Sequence, residues 1–459
     1  MRLPFLDRSE ELSRLQALFG RRDAGVGVLY GRRRCGKSRL LLEALSARRA
    51  VYFVADDRES TLQRAALAAE LARLLPGFDR VTYPDWDALF ARAWEQAGSG
   101  SVLVFDEFPA LVAVAPELPS LLQKYVDRPG RGPHLVLAGS SQRMMQGLIL
   151  DRTAPLYGRA REILKIDPLP CGWIRKALRL PDDRTAVEAY AVWGGVPRYW
   201  ELAADFPDRD AAIRELVLSP LGVLHDEPAR LLLDDLRDLT QATSVLALIG
   251  QGCHRLSEIA GRLGKPATSL SRPLERLLDL ALVRRDVPFG ASARDTKRSL
   301  YRIADPFLRF WFRFVEPNRS RLEARQTSAV AREVQAQLSQ HIAGIWEELV
   351  RESIPRAQYF GRTWGPARAW WGPGRDRSPL EIDVVAESQD GKALLLGEVK
   401  WTPSRSLGRA GTQLGQKAQR FPLAEGRQVF MGTWTEARPA RPDTTSGWFG
   451  PKDVLRALQ

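Results

Sequence analysis

The chain has 459 residues, of which 44% are hydrophobic, and a formal net charge of +13. That length is too great for one ordinary hydrophobic core, so we expect roughly two to four domains. No apolar run reaches about 18 residues and the start of the chain lacks a signal-peptide core, which predicts a cytoplasmic protein with no membrane partner. The three cysteines lie far apart, so neither a zinc cluster nor a disulfide framework is indicated.

The excess of basic residues is the main clue from composition. Lysine and arginine number 68, against 55 aspartate and glutamate residues. Such an excess points toward an anionic partner, and we expect DNA. The alternative is an arginine-rich composition with solvated basic faces, and charge by itself does not separate the two.

The first motif is a glycine-rich loop between an apolar run and a leucine-rich segment. Val26–Tyr30 is followed by Gly31-Arg-Arg-Arg-Cys-Gly-Lys-Ser38 and then by Leu40–Leu45. Strand, G-x-x-x-x-G-K-S loop and helix in this order predict a P-loop, whose backbone N–H groups surround phosphate oxygens. Lys37 is expected to reach the β- and γ-phosphates of ATP, and Ser38 to bind Mg²⁺. The predicted nucleotide-binding residues of the loop are Gly31, Arg34, Cys35, Gly36, Lys37, Ser38 and Arg39.

Strand-like and helix-like segments alternate up to about residue 165. This alternation predicts an α/β fold with a parallel sheet covered by helices. The candidate strands are Val26–Tyr30, Ala50–Val54, Ser101–Phe105, Leu135–Ala138 and Ile163–Ile166.

Two acids end the third of these strands. Asp106 and Glu107 follow the apolar run Val102–Phe105, as in a Walker B motif. Asp106 is expected to hold Mg²⁺ through water, and Glu107 to orient or deprotonate the water that attacks ATP. The alternative for this acid pair is a helix cap. The next strand ends at Gly139-Ser-Ser141, which places Ser140 where it could sense the γ-phosphate.

Taken in order, these motifs resemble those of archaeal-type P-loop ATPases, relatives of AAA+ and STAND proteins. The resemblance covers roughly residues 1–315 and implies that Pro197 packs on the adenine. It also implies that Arg159 acts on the γ-phosphate, either in cis or from a neighbouring subunit of a homo-oligomer. A structural salt bridge is the alternative for Arg159. The segments that carry the resemblance are Phe5–Leu12, Gly31–Ser38, Asp106-Glu107, Gly139–Ser141, Pro155–Arg159 and Gly194–Pro197.

Residues 240–303 show three helical patterns followed by a basic, hairpin-like stretch. Leu256–Leu263, a break at Gly264–Pro266 and then Thr268–Leu280 predict a helix-turn-helix. The family resemblance implies a winged helix here, which either contacts DNA or serves as an internal packing module. The basic residues expected on its wing are Arg284, Arg285, Arg294, Lys297 and Arg298.

Near the C-terminus, Asp390-Gly391 lies between two strand-like runs and is a strong hairpin-turn signal. If these two residues form the turn, Asp383 faces Glu398 and Glu381 faces Lys400. Strand alternation then puts all four side chains on one face of the hairpin. Two carboxylates directly opposite each other repel unless a cation lies between them, so Asp383 and Glu398 are predicted to bind Mg²⁺ or Mn²⁺.

The pattern Asp383…Glu398-Val-Lys400 resembles the core of PD-(D/E)xK nucleases, with Ile382 in place of the proline. This resemblance covers roughly residues 340–435. It implies that the acids hold the metal and that Lys400 positions or activates the hydrolytic water. Glu347 resembles the additional helix acid of that fold, with Glu348 as its rival. The alternative is an inactive module that only binds DNA.

These predictions divide the chain into five segments. The leading hypothesis is an ATP-hydrolysing, DNA-binding protein with a metal-dependent nuclease domain, acting in DNA processing or defence. One alternative is a STAND-like switch or regulator whose tail grips DNA without cutting it. Another is an NTPase that serves a protein partner. The segments are a P-loop ATPase core (1–166), a helical lid (167–235), a winged helix (236–315), a helical connector (316–340) and a nuclease-like α/β domain (341–459).

Overall fold

The computed structural model describes residues 3–128, 132–149, 151–235, 239–292, 298–402, 410–437 and 447–459. The chain divides into two compact units. The N-terminal unit comprises Asp7–Pro168 and Leu231–Asp235, and the C-terminal unit comprises Met1–Leu6, Leu169–Arg230 and Leu236–Gln459. Within the described ranges, no helix is both long enough and apolar enough to cross a membrane.

Five parallel strands form the central sheet of the N-terminal unit. They are β1 (Val26–Tyr30), β2 (Ala50–Val54), β3 (Val102–Asp106), β4 (His134–Gly139) and β5 (Ala160–Lys165). Their order across the sheet is β2-β3-β4-β1-β5. Strands β3 and β4 are buried along their whole length, as expected for strands covered on both faces. The predicted α/β fold with a parallel sheet is confirmed.

Helices connect these strands and enclose an aromatic core. The rings of Trp86 and Phe90 stack at 6.0 Å, and Phe90 meets Phe105 of β3 edge-on at 5.9 Å. This packing fixes the strand that ends in the Asp106-Glu107 pair. The helices are α1 (Ser9–Phe19), α2 (Lys37–Leu45), α3 (Ser60–Ala72), α4 (Trp86–Ala97), α5 (Phe108–Val114), α6 (Leu118–Val126) and α7 (Gln142–Ile149).

The chain after Pro168 is helical until residue 235. The interruption predicted at 193–197 is present, because one helix ends at Trp193 and the next begins at Pro197. Gly194 between them has a φ of 59°, a left-handed value that glycine adopts without strain. Pro197 occupies the first helical position, where its missing N–H has no cost. The helices are α8 (Ile174–Leu178), α9 (Asp183–Trp193), α10 (Pro197–Ala203), α11 (Arg209–Ile213) and α12 (Glu227–Asp235).

Three helices and a β-hairpin follow. The elements are α13 (Leu239–Gly250), α14 (Leu256–Leu263), α15 (Ser271–Asp279), β6 (Val283–Asp286) and β7 (Leu300–Ile303). Strands β6 and β7 pair antiparallel, with Arg284 opposite Arg302. The predicted sequence of three helices and a basic hairpin is therefore present, whereas Arg294 and Lys297 lie outside the described residues. Helix α16 (Pro306–Phe314) comes next.

A 27-residue helix follows the short helix α17 (Arg319–Glu323). This helix, α18 (Thr327–Ser353), runs without a break through residues 340 and 341, where the sequence suggested that a connector ends and a new helix begins. Apolar residues keep the helical spacing on both sides of that point, because Leu338, Ile342 and Ile345 are all buried. The connector and the following helix are thus one element.

A second sheet completes the C-terminal unit. Its strands are β8 (Arg368–Pro373), β9 (Pro379–Glu387), β10 (Ala393–Lys400), β11 (Gln428–Thr435) and β12 (Gly447–Phe449), in the order β12-β11-β10-β9-β8. Strand β10 pairs antiparallel with β9 and parallel with β11, so the sheet is mixed. The helices α19 (Ala410–Arg420) and α20 (Pro451–Ala457) follow β10 and β12.

The hairpin between β9 and β10 has the predicted register. Leu394 pairs with Glu387 and Gly397 with Val384, which centres the turn on Asp390-Gly391. Gly391 has a φ of 71°, as such a turn requires. The paired residues end at Gly397 and Val384, one step before Asp383 and Glu398, so the alignment of these two acids opposite each other stays a prediction.

Candidate functional site

The loop after β1 approaches the backbone of the segment that follows β5. Gly31 has a φ of 144°, and a Cβ atom on it would lie 2.3 Å from the carbonyl oxygen of Ile166. Only glycine fits there, because no backbone movement that preserves the sheet could absorb such a clash. Gly36, with a φ of 95°, lets the loop turn into α2.

The Lys37 ammonium group lies inside this loop. Its Nζ donates to the carbonyl oxygens of Gly31 at 2.7 Å and Arg32 at 3.2 Å. Burial lowers the pKa of Lys37, while the charges of Cys35, Glu107 and Asp106 act in the opposite direction. A buried cation held only by carbonyl oxygens is well placed to bind phosphate oxygens.

Ser38 and Asp106 are brought together, as the sequence predicts for a magnesium site. Ser38 Oγ donates to Asp106 Oδ2 at 2.8 Å, and the Tyr52 hydroxyl donates to the same oxygen. Hydroxyl and carboxylate oxygens are ligands that Mg²⁺ prefers, so these residues fit the ion. Burial and the Asp106 carboxylate raise the pKa of Tyr52, which keeps it a hydrogen-bond donor.

The structure also brings Glu107 and Ser140 together. Ser140 Oγ donates to Glu107 Oε1 at 2.7 Å, and its backbone N–H donates to Oε2 at 3.3 Å. Glu107 has a φ of 53°, a strained value for a residue with a side chain. The backbone N–H of Glu107 donates to Asp106 Oδ1 at 3.0 Å. The two acids of the predicted Walker B motif therefore point to different partners.

The remaining predicted nucleotide-site residues differ in their surroundings. Cys35 is buried, whereas Arg34 is exposed with a left-handed φ of 67°, and Arg39 is half-buried. The Arg159 guanidinium forms a bidentate ion pair with Asp127 at 2.8–2.9 Å, which is the salt-bridge alternative left open by the sequence. Pro197 belongs to the C-terminal unit, so its contact with adenine stays a prediction.

A second group of acidic and basic residues surrounds the β9–β10 hairpin. Glu398 is buried, and its two oxygens contact Lys400 Nζ at 2.7 Å and Lys417 Nζ at 2.6 Å. Asp383 Oδ2 accepts a hydrogen bond of 2.8 Å from the Val399 N–H. The predicted trio of Asp383, Glu398 and Lys400 therefore lies close together, and the charges of Glu398 and Lys400 both act on Asp383.

Sequence reasoning missed Lys417. No local motif marks it, because it lies on α19 and reaches Glu398 only through the packing of that helix on β10. Tyr52 was missed for the same kind of reason, since its contact with Asp106 depends on the order of the strands.

The electrostatics of Asp383 indicate an excess of negative charge. Burial, followed by the charges of Glu398 and Glu347, raises the pKa of Asp383 to about 7. Burial by itself would lower the pKa of Lys400. The hydrogen bond and the charge of Glu398 outweigh burial, so the pKa of this lysine is raised.

The two glutamates at the middle of α18 have opposite surroundings. Glu347 lines the same cavity as Asp383, and burial raises its pKa. Glu348 is held between Arg284 and Arg309, whose Nη1 atoms lie 2.6 Å and 2.8 Å from its oxygens. Burial would raise the pKa of Glu348, but the two arginines outweigh it and hold the pKa well below its usual range. Of the two rivals, only Glu347 faces the acid side chains.

The fit of a metal ion to these acids is partial. Within the described residues, no group of three or more His, Cys, Asp or Glu side chains has the arrangement of a complete metal site. Asp383 offers one carboxylate, and the raised pKa shows that a cation beside it would be stabilising. Glu398 already contacts two ammonium groups, so it would have to release one of them to bind a cation.

A cavity of about 570 Å³ opens above Asp383 and Glu347. We call it the acid cleft. Glu381 and Asp286 also line it, and so do five arginines, which we call the basic wall. The arginines of the acid cleft are Arg255, Arg285, Arg302, Arg351 and Arg368.

Comparison with known families identifies the class of the N-terminal region. Residues 5–202 match the model of an "ATPase domain predominantly from Archaea". The chain therefore carries a P-loop ATPase domain of archaeal type, a class of domain that binds and hydrolyses ATP. Residues 311–410 match a family described as "Archaea bacterial proteins of unknown function".

Individual relatives extend the likeness over most of the chain. An uncharacterized protein of Methanocaldococcus jannaschii is 28% identical over 404 residues, which span 86% of this chain and 87% of the relative. The Walker-type ATPase of Pyrococcus abyssi has a TM-score of 0.52 and 21% identity, covering 67% of this chain and 96% of its own, and shares the fold. The ORC2 protein of Aeropyrum pernix, in its ADPNP-ADP complexes, has a TM-score of 0.46 and 14% identity over 73% of this chain and 97% of its own. That last similarity is too low to support a fold assignment.

Proposed function

We propose that this protein uses its ATPase domain to control a DNA-processing or defence reaction, in which the acid cleft cleaves phosphodiester bonds with Mg²⁺ or Mn²⁺. The observation that carries the proposal is the proximity of Asp383, Glu398 and Lys400, together with the five arginines that line the acid cleft beside Asp383. Metal-assisted hydrolysis of a phosphodiester needs acids that hold the metal, and a neighbouring lysine can position the water.

In the ATPase domain, Lys37 binds the β- and γ-phosphates and the loop N–H groups surround their oxygens. Ser38 and Asp106 would hold Mg²⁺, which neutralises charge on the phosphates. Glu107 orients the attacking water once its hydrogen bonds to Ser140 are exchanged for that water. Ser140 is then free to bond the γ-phosphate.

Asp383, which lines the acid cleft, and the buried Glu398 near it are where the divalent ion would bind. Because Glu398 raises its pKa, Lys400 is protonated near neutral pH, and it positions the hydrolytic water and stabilises negative charge on the phosphate rather than acting as a base. The basic wall selects a substrate that carries phosphate groups, because guanidinium groups bind phosphate oxygens in a bidentate manner.

The helices α13 to α15 with the β6–β7 hairpin form, in this proposal, a winged helix whose wing lines the acid cleft. Arg284 was expected on the wing as a phosphate contact, but its partners are Glu348 and Asp286. Arg298 donates to the carbonyl oxygen of Trp371 on β8. Arg285, which lines the acid cleft, is the wing residue best placed to meet DNA. The proposed order of domains is P-loop core, helical lid, winged helix, helical connector and nuclease-like domain, with the connector and the first helix of the last domain joined in α18.

A second function is favoured by the contacts of Glu398. Both oxygens of Glu398 are held by lysines, so this carboxylate is neutralised without a metal. The acid cleft would then bind DNA without cutting it. The protein would then be an ATP-dependent switch, as in the alternative drawn from the sequence. A homo-oligomer is compatible with either function.

One experiment separates these functions. The full-length protein is incubated with single-stranded, double-stranded and branched DNA in Mg²⁺ or Mn²⁺, with and without ATP. We expect the wild-type protein to cleave DNA. Asp383→Ala should abolish cleavage while ATP hydrolysis continues. Glu425→Gln, which changes an exposed acid outside the cleft, should leave cleavage unchanged. DNA binding without cleavage by the wild-type protein would establish the switch instead. Cleavage at the full rate in Asp383→Ala would show that the cutting site lies elsewhere or in a contaminant.

A further inference from the structure

A second cavity of about 530 Å³ lies among α13, α16 and α18 in the C-terminal unit. We call it the arginine cavity. Three arginines line it, Arg302, Arg309 and Arg313, and none of the described residues that line it is acidic. A cavity of this size is within the range of small-molecule sites, and its lining charge selects an anion.

Arg313 is the guanidinium group left for a ligand. Arg309 is neutralised by Glu348, and Arg302 by Asp286 at 3.2 Å. Arg313, by contrast, donates to Gln340 Oε1 at 2.7 Å and forms no ion pair with a described carboxylate. Burial, and then the charge of Arg309, lowers the pKa of Arg313.

His341 supplies a second, independent observation that points to a ligand. It is 2% exposed, and its Nε2 lies 2.8 Å from the carbonyl oxygen of Ala191. Because a carbonyl oxygen only accepts, Nε2 carries the proton and Nδ1 is an acceptor. That Nδ1 atom is buried and has no hydrogen-bond partner among the described residues. A buried acceptor left unpaired costs about 1–3 kcal/mol, and a ligand N–H would remove that cost.

We propose that the arginine cavity binds a nucleoside 5′-monophosphate at a site distinct from the P-loop and the acid cleft. The phosphate would lie against Arg313, since a guanidinium fork matches a phosphate group. The base would donate an amino N–H to His341 Nδ1. The Gln337 and Gln340 amides, which also line the cavity, can pair with the other polar atoms of the base.

Binding is measured by isothermal titration of the full-length Lys37→Ala protein, in which the P-loop no longer contributes. The probes are AMP, GMP and inorganic phosphate. We expect AMP or GMP to bind about tenfold or more tightly than inorganic phosphate, because only the nucleotides engage His341. Arg313→Gln should weaken nucleotide binding by a further factor of about ten. Arg332→Gln, an exposed arginine of α18 outside the cavity, should leave it unchanged.

His341→Gln tests the second contact. The glutamine amide can still donate to Ala191, but it lacks the acceptor at the position of Nδ1. We expect this variant to keep its melting temperature within a few degrees, to lose nucleotide affinity and to keep phosphate affinity. The proposal is overturned if neither nucleotide binds, if nucleotides and phosphate bind equally, or if Arg313→Gln and Arg332→Gln behave alike. Nucleotide affinity that is unchanged in His341→Gln would remove the role of His341.

Discussion

Ser140 Oγ lies 2.7 Å from Glu107 Oε1, which joins the ends of neighbouring strands at the nucleotide site. A carboxylate that accepts two hydrogen bonds from one residue is fixed in one orientation. In the role proposed for Glu107, its carboxylate must exchange these bonds before it can orient a water molecule. Removing either partner therefore has different consequences.

Glu107→Gln is expected to bind ATP but to lower the hydrolysis rate by about 10²–10⁴-fold, because the amide cannot take up a proton. Ser140→Ala should retain more activity, since the carboxylate stays. Single-turnover ATP hydrolysis and nucleotide titration measure the two effects separately. Wild-type turnover in Glu107→Gln would disprove the role assigned to this residue.

Lys37→Ala is expected to abolish ATP binding, because the phosphates lose the cation buried within the loop. Fluorescent-nucleotide titration measures this loss. Lys124→Ala, which removes an exposed lysine paired with Asp87, serves as the control and should bind ATP normally. ATP affinity that survives in Lys37→Ala would place the nucleotide elsewhere.

Arg255→Gln combined with Arg285→Gln should weaken DNA binding and reduce the slope of log affinity against log salt by about two, one for each phosphate that is no longer neutralised. The measurement is fluorescence anisotropy at several salt concentrations. Arg332→Gln, an exposed arginine of α18 outside both the acid cleft and the proposed winged helix, is the control. An unchanged slope in the double variant would mean that the basic wall does not contact DNA.

Glu348→Gln is expected to lower the free energy of unfolding by about 1–3 kcal/mol, because Arg309 loses its carboxylate partner and Arg284 keeps only Asp286. Urea unfolding of the full-length protein measures this change. Glu333→Gln, which removes an exposed partner of Arg321 on the same helix, should have little effect. Equal stability of the two variants would contradict the importance of the buried cluster.

Burial lowers the pKa of His341 to about 3, which predicts a pH-dependent stability. The unfolded chain takes up a proton below about pH 6.5 and the folded chain does not, so this contribution is complete above pH 6.5 and is lost as the pH falls toward 3. Between pH 7 and pH 5 the loss is about 2 kcal/mol. Urea unfolding at the two pH values should show a smaller difference in His341→Gln. The same difference in both proteins would assign the dependence to other groups.

Local sequence predicted the parts of the structure that depend on neighbouring residues. The P-loop, the five strands and the register of the β9–β10 hairpin follow from glycine positions, apolar runs and the Asp390-Gly391 turn. Each of these signals lies within a few residues of the feature it specifies, so no knowledge of tertiary packing was needed.

Contacts between distant segments could not be predicted in this way. Arg284 carries a basic side chain on a hairpin, as a DNA contact would, yet its partner Glu348 lies 64 positions away. Lys417 similarly neutralises Glu398 from another element. The sequence did not predict the full length of α18, because its many polar residues are typical of a linker. Only the packing of its apolar face shows that the helix continues. Which charged group is available for a ligand is thus decided by tertiary pairing.

Helix α18 carries His341 toward the arginine cavity and Glu347 toward the acid cleft. These residues are six positions apart, which corresponds to about 9 Å along one helix axis. If a ligand in one cavity shifts this helix, it shifts the wall of the other cavity as well. The two binding equilibria would then be linked, and each ligand would change the affinity of the other by the same factor.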